Sequence, residues 1–568
     1  MASSLLARVV PALAGVALTS IASAQIQAYT FNGANGGNQL GLVVRNAYDV
    51  DGDGFDDVIV GEPFANPNGN NSGRARVYSG KTGAVLWTFN GANAGDQFGS
   101  SVAAIQSLGY PILIVGAPMF DGQYADCGAV YIYSGINGNL LQSYTGSAPN
   151  EELAAAVSDS GDVDGDGRPD IVVGTPFWSY GLSTCGAIFI ISGFTLQPIN
   201  GEFFSGIQAG ALLGWSVAAA GDVDHDGHDD IIAGAPFAGP NGEGQAYVMS
   251  PWTGQTLYTK TGNMANAQFG YAVSGSRDVD NDGWSDFIVG SPFDNTTGAA
   301  GGRVKVFSGH TGSLLHNITG QSGFHFGLSV SLISDIDGDG NADFIAGSPY
   351  GDHNGTQQTG IVRVFSGANG NTIHSFFGDT AGDYLGWSVC RGGDVNNDGM
   401  PDVIAGAPFA APNGTNSGYA RVWFMGCPSP STYCTAKTNS SGCTPQIDWN
   451  GVPTRVTGAD DFEITASHLL TAKSGLLFWG LGPLSNPFHG GTLCVAAPTV
   501  RTPIQDSGCP TCGACQGTYT FAFSQSYMAS QSLHAGDTIY AQYWSRDPGF
   551  PPPDNYGLTD ALKFTVAK

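Results

Sequence analysis

Six short segments of the chain place acidic residues at alternate positions of a nine-residue pattern, Asp-x-Asp/Asn-x-Asp-Gly-x-x-Asp. In GDVDGDGRPD, residues Asp162, Asp164, Asp166 and Asp170 occupy positions 1, 3, 5 and 9. Alternate side chains of a tight loop can direct their oxygens to one point, and glycine at position 6 permits the sharp turn. Ca²⁺ accepts about six to eight such hard oxygen ligands, whereas Zn²⁺ prefers His or Cys. The pattern therefore predicts calcium-binding loops.

The same five positions supply the predicted ligands in every loop. Positions 1, 3, 5 and 9 offer side-chain oxygens, and position 7 offers its backbone carbonyl. In the last loop Asn396 replaces the Asp at position 3 and still provides an oxygen, so about six structural Ca²⁺ ions are expected. The candidate ligands are Asp49, Asp51, Asp53, Phe55, Asp57, Asp162, Asp164, Asp166, Arg168, Asp170, Asp222, Asp224, Asp226, His228, Asp230, Asp278, Asp280, Asp282, Trp284, Asp286, Asp335, Asp337, Asp339, Asn341, Asp343, Asp394, Asn396, Asp398, Met400 and Asp402.

The charge of the chain supports metal binding and excludes one class of partner. The sequence has 47 Asp and Glu against 20 Lys and Arg, a formal net charge of −27. The predicted ligand positions of the six loops hold 23 of these acids, and like charges packed closely together oppose folding unless cations offset them. A nucleic-acid partner would need a basic face, so none is expected.

The spacing of the loops reveals an internal repeat. From Asp162 onward, successive loops begin 60, 56, 57 and 59 residues apart, and Asp49 precedes Asp162 by 113 residues, about two periods. A unit without the acids, QFGSSVAAIQSLGYPILIVGAP, fills the gap and should bind no metal. Each unit contains four short runs of alternating apolar residues with Gly-rich turns between them, which is typical of β-strands.

Seven units of four strands predict an all-β fold, a seven-bladed β-propeller over residues 25–426. The repeat region begins with a lone fourth strand, IQAYTFNG, and ends on a third strand, GYARVWFMG. A ring that closes by pairing its first strand into the last blade needs this offset, whereas a linear solenoid does not.

Both ends of the chain differ from the repeats. Residues 1–24 combine Arg8, an apolar run and the small-residue sequence ASA, which is typical of a secretory signal peptide. The run is shorter than the roughly 20 residues of a membrane span, so we expect no membrane span and a secreted, extracellular or cell-surface-associated protein. Residues 427–568 predict a small disulfide-bearing domain of the β-sandwich type.

The ten cysteines of an exported chain are expected mainly in disulfides. The segment CPTCGAC has the spacing of an iron–sulfur site but lacks the fourth cysteine, which favours disulfides there. Cys127 and Cys185 occupy equivalent positions in neighbouring units, where a bridge between blades is one interpretation. Cys390 is interpreted as a buried free thiol.

The frame of each unit, Phe/Leu-Gly before the acidic loop and Gly-Ala/Ser/Thr-Pro after it, resembles the FG-GAP repeat of the integrin α-subunit propeller. The resemblance covers all seven units, about 400 residues. It implies structural calcium in the hairpin loop between the first two strands of a blade, on the lower face of the ring. It also implies ligand contacts on the opposite, upper face. The aromatic residues that follow Pro in the upper connections are expected to pack: Phe64, Phe177, Phe237, Phe293, Tyr350 and Phe409.

No nucleophile elbow, zinc-binding helix or phosphate loop is present in the sequence. We therefore expect an exported, non-catalytic, calcium-binding adhesion or ligand-binding module, with an extracellular protein or glycan as its partner. The alternative is a polysaccharide-binding lectin, or a hydrolase or lyase acting on polysaccharide, that uses the upper face or the C-terminal domain. Its candidate contacts are Trp449, Trp479, Trp544 and the upper-loop acids Asp121, Asp126, Asp294 and Asp352, which show no repeated pairing.

Overall fold

The computed structural model of the protein describes residues 26–179, 181–425, 431–451, 453, 462–488, 491–508, 514–533 and 537–566. The predicted signal peptide, residues 1–24, lies outside them. Within these ranges the regular structure consists of β-strands and one six-residue helix. The all-β prediction is therefore confirmed.

Each repeat unit forms one four-stranded antiparallel sheet, here called a blade, and the first strand of the chain, β1 (Ile26–Asn32), precedes the first complete unit. Blades 1 to 3 are β2 (Val44–Tyr48), β3 (Asp57–Glu62), β4 (Arg74–Tyr78), β5 (Val85–Asn90); β6 (Ser101–Ser107), β7 (Tyr110–Ala117), β8 (Ala129–Ser134), β9 (Leu140–Thr145); and β10 (Ala156–Gly161), β11 (Asp170–Thr175), β12 (Ala187–Ile191), β13 (Pro198–Ser205). Blades 4 and 5 are β14 (Ser216–Gly221), β15 (Asp230–Ala235), β16 (Gln245–Ser250), β17 (Gln255–Thr261); and β18 (Ala272–Arg277), β19 (Asp286–Ser291), β20 (Arg303–Phe307), β21 (Leu314–Thr319). Blades 6 and 7 are β22 (Val330–Ile333), β23 (Asp343–Ser348), β24 (Ile361–Phe365), β25 (Thr372–Phe377); and β26 (Ser388–Arg391), β27 (Val403–Ala407), β28 (Tyr419–Phe424) with β1.

The blades are arranged in a ring. Their first strands contact one another in the order β2, β6, β10, β14, β18, β22, β26, and β26 contacts β2 again. In blade 7 the strand order is β1-β28-β27-β26, and β1 pairs with β28 from Ile26 opposite Phe424 to Asn32 opposite Tyr419. The N-terminal strand therefore supplies the missing fourth strand of the last blade, where the sequence offset places it.

The glycines of the repeat frame are required by close backbone contacts between blades. Gly270 N donates to Gly290 O at 3.1 Å within blade 5. A Cβ added to Gly290 would lie 2.0 Å from the backbone oxygen of Gly327 in blade 6. The residue before that glycine, Phe326, is buried and bridges to Gly302 at the start of the third strand of blade 5. The frame thus marks the contact of one blade with the next.

The core of the ring lies between neighbouring blades. The second strand of each blade is buried along most or all of its length, whereas the outer fourth strands consist mainly of half-buried and exposed residues. One apolar cluster joins Ile59, Val77 and Phe89 of blade 1 to Val102 and Leu113 of blade 2. Because each blade buries its faces against its neighbours, we infer that the ring is stabilised mainly by blade-to-blade packing.

After residue 430 the chain forms a different arrangement of strands. Its elements are β29 (Ser431–Tyr433), β30 (Gln446–Asn450), β31 (Glu463–Leu469), β32 (Ser474–Gly480), β33 (Pro483–Phe488), β34 (Gly491–Val495), β35 (Val500–Arg501), β36 (Gln505–Asp506), β37 (Gly517–Ala522), α1 (Gln525–Ser530), β38 (Thr538–Arg546) and β39 (Tyr556–Thr565). A six-stranded sheet contains β29, β39, β38, β32, β35 and β36, and a three-stranded sheet contains β30, β31 and β37. Ile464 and Tyr519 of the smaller sheet share one core with Leu477, Tyr543 and Phe564 of the larger, as in a sandwich.

Two disulfides join segments of this C-terminal region, Cys434–Cys494 and Cys443–Cys515. Cys515 is the last cysteine of CPTCGAC, so this residue forms a disulfide rather than part of a cluster. Cys427, Cys509 and Cys512 lie outside the described residues.

The interpretation of Cys127 and Cys185 as a bridge between blades is wrong. Both are buried free thiols, and each donates to a backbone carbonyl of its own blade, Cys127 to Phe120 O and Cys185 to Trp178 O. Cys390 is a buried free thiol as predicted, and its burial raises the thiol pKa to about 11.

Candidate metal centres

The acidic loops connect the first and second strands of six blades. In an antiparallel blade this connection and the third-to-fourth connection lie at one end, here the lower face, and the other connections lie at the upper face. Blade 2 has no acidic loop. There Ser107 pairs with Tyr110 across a two-residue turn, in which Leu108 and Gly109 have φ of 51° and 79°.

Backbone N–H groups position the carboxylates of each loop. In blade 3, Asp162 Oδ1 accepts from Gly165 N at 2.8 Å and Asp166 N at 3.1 Å, and its Oδ2 accepts from Gly167 N at 2.8 Å. Asp164 Oδ1 also accepts from Asp166 N, at 3.1 Å. Closely related bonds recur in the other loops, for example at Asp49 and Asp335. The loop is therefore held as a compact turn by its own acids.

Two positions of each loop have left-handed backbone. Glycine at position 6 has φ between 84° and 97° in all six loops, as the pattern predicts. Position 4 also has positive φ, between 54° and 76°, which the pattern did not indicate. Gly, Asn and His are among the residues that occur most readily in this conformation, and their presence at position 4 of every loop was the available signal. The position-4 residues are Gly52, Gly165, His225, Asn281, Gly338 and Asn397.

Five loops bring three carboxylates together. In each group the three ligand atoms lie within 4.8 Å of one another, so the five clusters could each hold a metal ion. Three hard oxygen donors in a small space fit Ca²⁺. The groups are Asp49, Asp51 and Asp53; Asp162, Asp164 and Asp166; Asp222, Asp224 and Asp230; Asp278, Asp280 and Asp282; and Asp335, Asp337 and Asp339.

The loop of blade 7 has the same turn with one fewer acid. Asp394 Oδ1 accepts from Asp398 N at 2.9 Å, and Asn396 Oδ1 accepts from the same N–H at 3.1 Å. The amide Nδ2 of Asn396 donates to Asp398 Oδ2 at 2.9 Å. Asn396 thus reproduces the turn geometry of the Asp that occupies position 3 elsewhere.

The Asp at position 9 has a structural role that the pattern did not indicate. It is fully buried in all six loops, and one carboxylate oxygen accepts from the N–H of position 2, as Asp57 Oδ2 does from Val50 N at 2.8 Å. In four blades the other oxygen accepts from the third-to-fourth hairpin, as Asp57 Oδ1 does from Gly80 N at 2.9 Å. In blade 7 it accepts from Met425 N, directly after the third strand. The carboxylate therefore ties the loop to that hairpin. The six residues are Asp57, Asp170, Asp230, Asp286, Asp343 and Asp402.

Blade 4 is the exception. Pro251 occupies the position of Gly80 and has no N–H to donate. Asp230 Oδ1 is accordingly buried without a hydrogen-bond partner, and Asp230 joins Asp222 and Asp224 in the carboxylate cluster. An unpartnered buried carboxylate oxygen beside two further carboxylates is a fitting environment for a cation.

Burial changes the acidity of these carboxylates. Burial and, to a smaller extent, the neighbouring loop acids raise the pKa of Asp57, Asp170, Asp286 and Asp343 to about 7 and that of Asp230 to about 8. The backbone N–H bonds to the same carboxylates oppose this shift but do not cancel it. Ionisation of these groups is therefore costly unless a cation lies nearby.

The side chains at position 7, whose carbonyls are predicted ligands, contact the third-to-fourth hairpin of the same blade in four cases. Two contacts are cation–π pairs and two are ring contacts, all within 5 Å of the ring centroids. They are Phe55 with Lys81, Arg168 with Phe194, His228 with Trp252 and Trp284 with His310. In blade 6 the Asn341 amide instead donates to Val279 O at 2.7 Å, and Met400 of blade 7 is half-buried.

Several loops also bind the loop of the preceding blade through position 8. Asp229 N donates to Asp162 O, and Asp162 N donates to Asp229 Oδ2, both at 2.8 Å. Asp56 of blade 1 and Asp394 of blade 7 make the same pair of bonds, at 3.1 and 3.0 Å. The loops therefore connect neighbouring blades, including the two blades at which the ring closes.

The upper face carries a continuous series of aromatic rings across blades 4 to 7, here called the aromatic arc. Trp215 contacts Tyr271 with ring centroids 5.5 Å apart, His325 contacts Tyr350 at 4.3 Å, and Trp387 contacts Phe409 at 5.0 Å. The rings pack against one another, yet each remains partly exposed. The arc consists of Trp215, Phe237, Tyr271, Phe293, His325, Tyr350, Tyr384, Trp387 and Phe409.

The residues predicted to contact a polysaccharide, in the alternative to the adhesion function, lie in different parts of the structure. Trp479 is buried in the C-terminal core, where its Nε1 donates to Tyr527 OH at 2.9 Å, so it does not form a binding surface. Asp294 is buried in an ion pair with Arg303 at 3.1 Å. The remaining candidates stay at least partly exposed: Asp121, Asp126, Asp352, Trp449 and Trp544. Among the described residues, no helix has the length and apolar character needed to cross a membrane.

Comparison with known proteins identifies the repeat. The family model of the FG-GAP repeat matches residues 41–78, 155–188, 213–249, 269–307, 326–365 and 385–423, the six units that contain the acidic loop. The chain is 31% identical to integrin alpha-5 of Xenopus laevis over 202 residues, which is 32% of this chain and 18% of that protein. It is 30% identical to integrin alpha-V of Gallus gallus over 215 residues, 35% of this chain and 20% of that protein. The match thus spans about a fifth of the length of these relatives.

Proposed function

Because the chain contains six FG-GAP repeats in an integrin α-like β-propeller, we propose that it is an exported, non-catalytic adhesion or ligand-binding module. Its ligand is an extracellular protein or glycan, and its place of action is outside the cell or at the cell surface. The two disulfides of the C-terminal region support an oxidising, extracellular location.

The aromatic arc is the observation that carries this proposal. Exposed aromatic rings offer a large contact area at low conformational cost, and they are enriched in protein-binding surfaces. The arc also suits a glycan, since the apolar faces of sugar rings can pack on aromatic rings. Its rings are fixed by mutual contacts such as Tyr271 with Phe293, so little order would be lost on binding.

The lower face has a supporting role in this proposal. In this proposal about six loops bind calcium through ligands that include the five carboxylate clusters. Each ion would stabilise the connection between the first and second strands of its blade and the contact of that loop with the neighbouring blade. The bound ion would supply positive charge among crowded carboxylates. The chain itself orients those carboxylates through the backbone N–H groups of the loops.

The proposal is tested by screening the calcium-loaded protein against a glycan array and a panel of extracellular-matrix proteins. Trp215→Ala and Tyr350→Ala in the arc should each weaken binding of any captured ligand at least tenfold. The control is Leu314→Ala, because Leu314 is 48% exposed on the outer strand β21; it should bind as the unsubstituted protein does. Arc variants that fold and bind normally would place the ligand elsewhere, and capture of no protein or glycan would reject the function.

A further inference from the structure

A polar cavity of about 100 Å³ lies within the ring and is lined by the first strands of all seven blades. Several blades contribute small residues to it, among them Ala104, Ala218 and Gly275. A cavity of this size holds several water molecules, and its lining is rich in hydroxyl, amide and charged groups. It is separate from the acidic loops and from the aromatic arc.

Two arginines line this cavity from adjacent blades. Arg45 belongs to β2 and Arg391 to β26, the first strands that meet where the ring closes. One guanidinium nitrogen of Arg45 donates to Val44 O at 2.8 Å. Burial raises the pKa of Tyr48, which also lines the cavity, and the positive charge of Arg391 opposes that increase. Neither arginine takes part in any of the four ion pairs formed among the described residues.

The residues that line the cavity include two arginines and one carboxylate. Of the residues that line it, Asp159 of blade 3 is the one carboxylate, and its Oδ1 accepts from Ser158 Oγ at 3.0 Å. The lining therefore carries two positive charges and one negative charge, in a chain whose formal net charge is −27. Two positive charges that line one small cavity favour an anion there, because it would offset both charges.

We propose that this cavity binds one small oxyanion, a carboxylate or a sulfate, between the guanidinium groups of Arg45 and Arg391. The planar guanidinium matches such anions in two-point hydrogen bonding. The hydroxyl of Ser274, which lines the cavity and whose oxygen accepts from Leu332 N, provides a further donor. The size of the cavity restricts the ligand to a small ion and excludes a polymer. The bound anion would link blades 1 and 7.

The test measures sulfate binding by the full-length, calcium-loaded protein. Equilibrium dialysis with radiolabelled sulfate at low ionic strength should show saturable binding of one sulfate per chain. The double variant Arg45→Gln/Arg391→Gln should weaken this binding at least tenfold. Arg546→Gln is the control, because Arg546 is exposed on β38 in the C-terminal region, and it should have no effect. Displacement of sulfate by acetate would assign the site to carboxylates as well.

Absence of saturable sulfate and acetate binding would overturn the proposal, as would equal binding by the double variant. A second measurement covers the case in which the double variant does not fold. Crystals of the unsubstituted protein grown with selenate should show an anomalous peak between Arg45 and Arg391. Absence of that peak from the cavity at millimolar selenate would reject the site.

Discussion

At the scale of single residues, opposing effects act on the charge state of the position-9 carboxylates. Each is fully buried, as Asp343 is, and accepts N–H bonds that favour its charged form. Burial and the neighbouring acids favour the neutral form instead. A calcium ion would resolve the conflict, because it offsets the negative charge without removing the hydrogen bonds. In its absence, protons take the same role.

We therefore expect the calcium-free protein to lose thermal stability as pH rises from about 5 to 8. The pKa of four position-9 carboxylates is about 7 in the folded protein and that of Asp230 is about 8, above the usual Asp value of about 3.9. The folded state consequently binds more protons than the unfolded state, and the resulting stabilisation is lost as pH rises through these pKa values. Melting temperatures in calcium-free buffers at several pH values measure this trend.

Saturating calcium should flatten or reverse the pH dependence, because calcium competes with protons for the same carboxylates. Asp343→Asn removes one titrating group and should make the calcium-free trend shallower. Asp352→Asn, at an exposed upper-loop position, serves as the control and should leave it unchanged. A melting temperature that increases with pH in the absence of calcium would contradict the prediction.

Part of the loop chemistry could be read from the sequence, and part could not. The alternation of Asp and Gly is local, so it indicates which side chains share a turn. The partners of position 9 are not local: Gly80 lies 23 residues after Asp57, across a hairpin. The effect of Pro251 on Asp230 depends on that same distant contact, and no pattern within nine residues could reveal it.

At the scale of elements, the ring is closed by strand pairing and by side-chain packing. β1 pairs along β28, and its Phe31 stacks on Tyr78 of blade 1 with ring centroids 4.1 Å apart. Phe31 is 5% exposed and belongs to a cluster that spans blades 7 and 1. One strand therefore completes a sheet and seals the contact between the two end blades.

Deletion of residues 26–32 should open the ring. It removes the partner of β28 and leaves an unpaired strand edge, which tends to pair with another chain. We expect a lower melting temperature, loss of amide protection in blade 7, and concentration-dependent self-association. Hydrogen exchange and light scattering measure the last two effects.

The control is Val85→Ala, because Val85 is exposed on the outer strand β5. This substitution should change none of these properties. A deletion variant that stays monomeric, with normal protection in blades 7 and 1, would show that β1 is dispensable.

The closing strand could be predicted because a lone fourth strand precedes the repeats, whereas the last repeat unit ends on its third strand. The contact of Phe31 with Tyr78 could not, since it depends on which faces meet when the ring closes. The thiols show the same limit. Cys127 and Cys185 hold equivalent positions in neighbouring blades, yet each Sγ contacts its own blade. Equivalence in a repeat does not imply proximity.

At the scale of the whole molecule, stability depends on charge balance. About half of the 47 acids lie in loops on the lower face, and six Ca²⁺ ions would reduce the formal charge from −27 to about −15. At 10 mM calcium, a site with Kd of about 10⁻⁴ to 10⁻³ M, as in other extracellular modules, would contribute about 1.4 to 2.7 kcal/mol. Six such sites together would contribute an amount comparable to the whole free energy of unfolding of a typical domain.

Removal of calcium should therefore lower the melting temperature by several degrees or more. The measurement compares the protein dialysed against EGTA at pH 7.5 with the same sample after calcium is restored. Magnesium at equal ionic strength is the control and should restore little stability, because Mg²⁺ demands smaller, near-octahedral coordination. An unchanged melting curve after chelation would reject structural calcium.

Closure by β1 also has a consequence for how the chain acquires its fold. Ile26 pairs with Phe424, so β1 is synthesised about 400 residues before its partner strand and must wait for it. Individual blades can form early because their strands are close in sequence, but the final pairing carries a large loop-closure cost and is intrinsically slow. Until that step, β1 and the edge of β28 are both unpaired, and this interval is when the protein is most exposed to misassembly between chains.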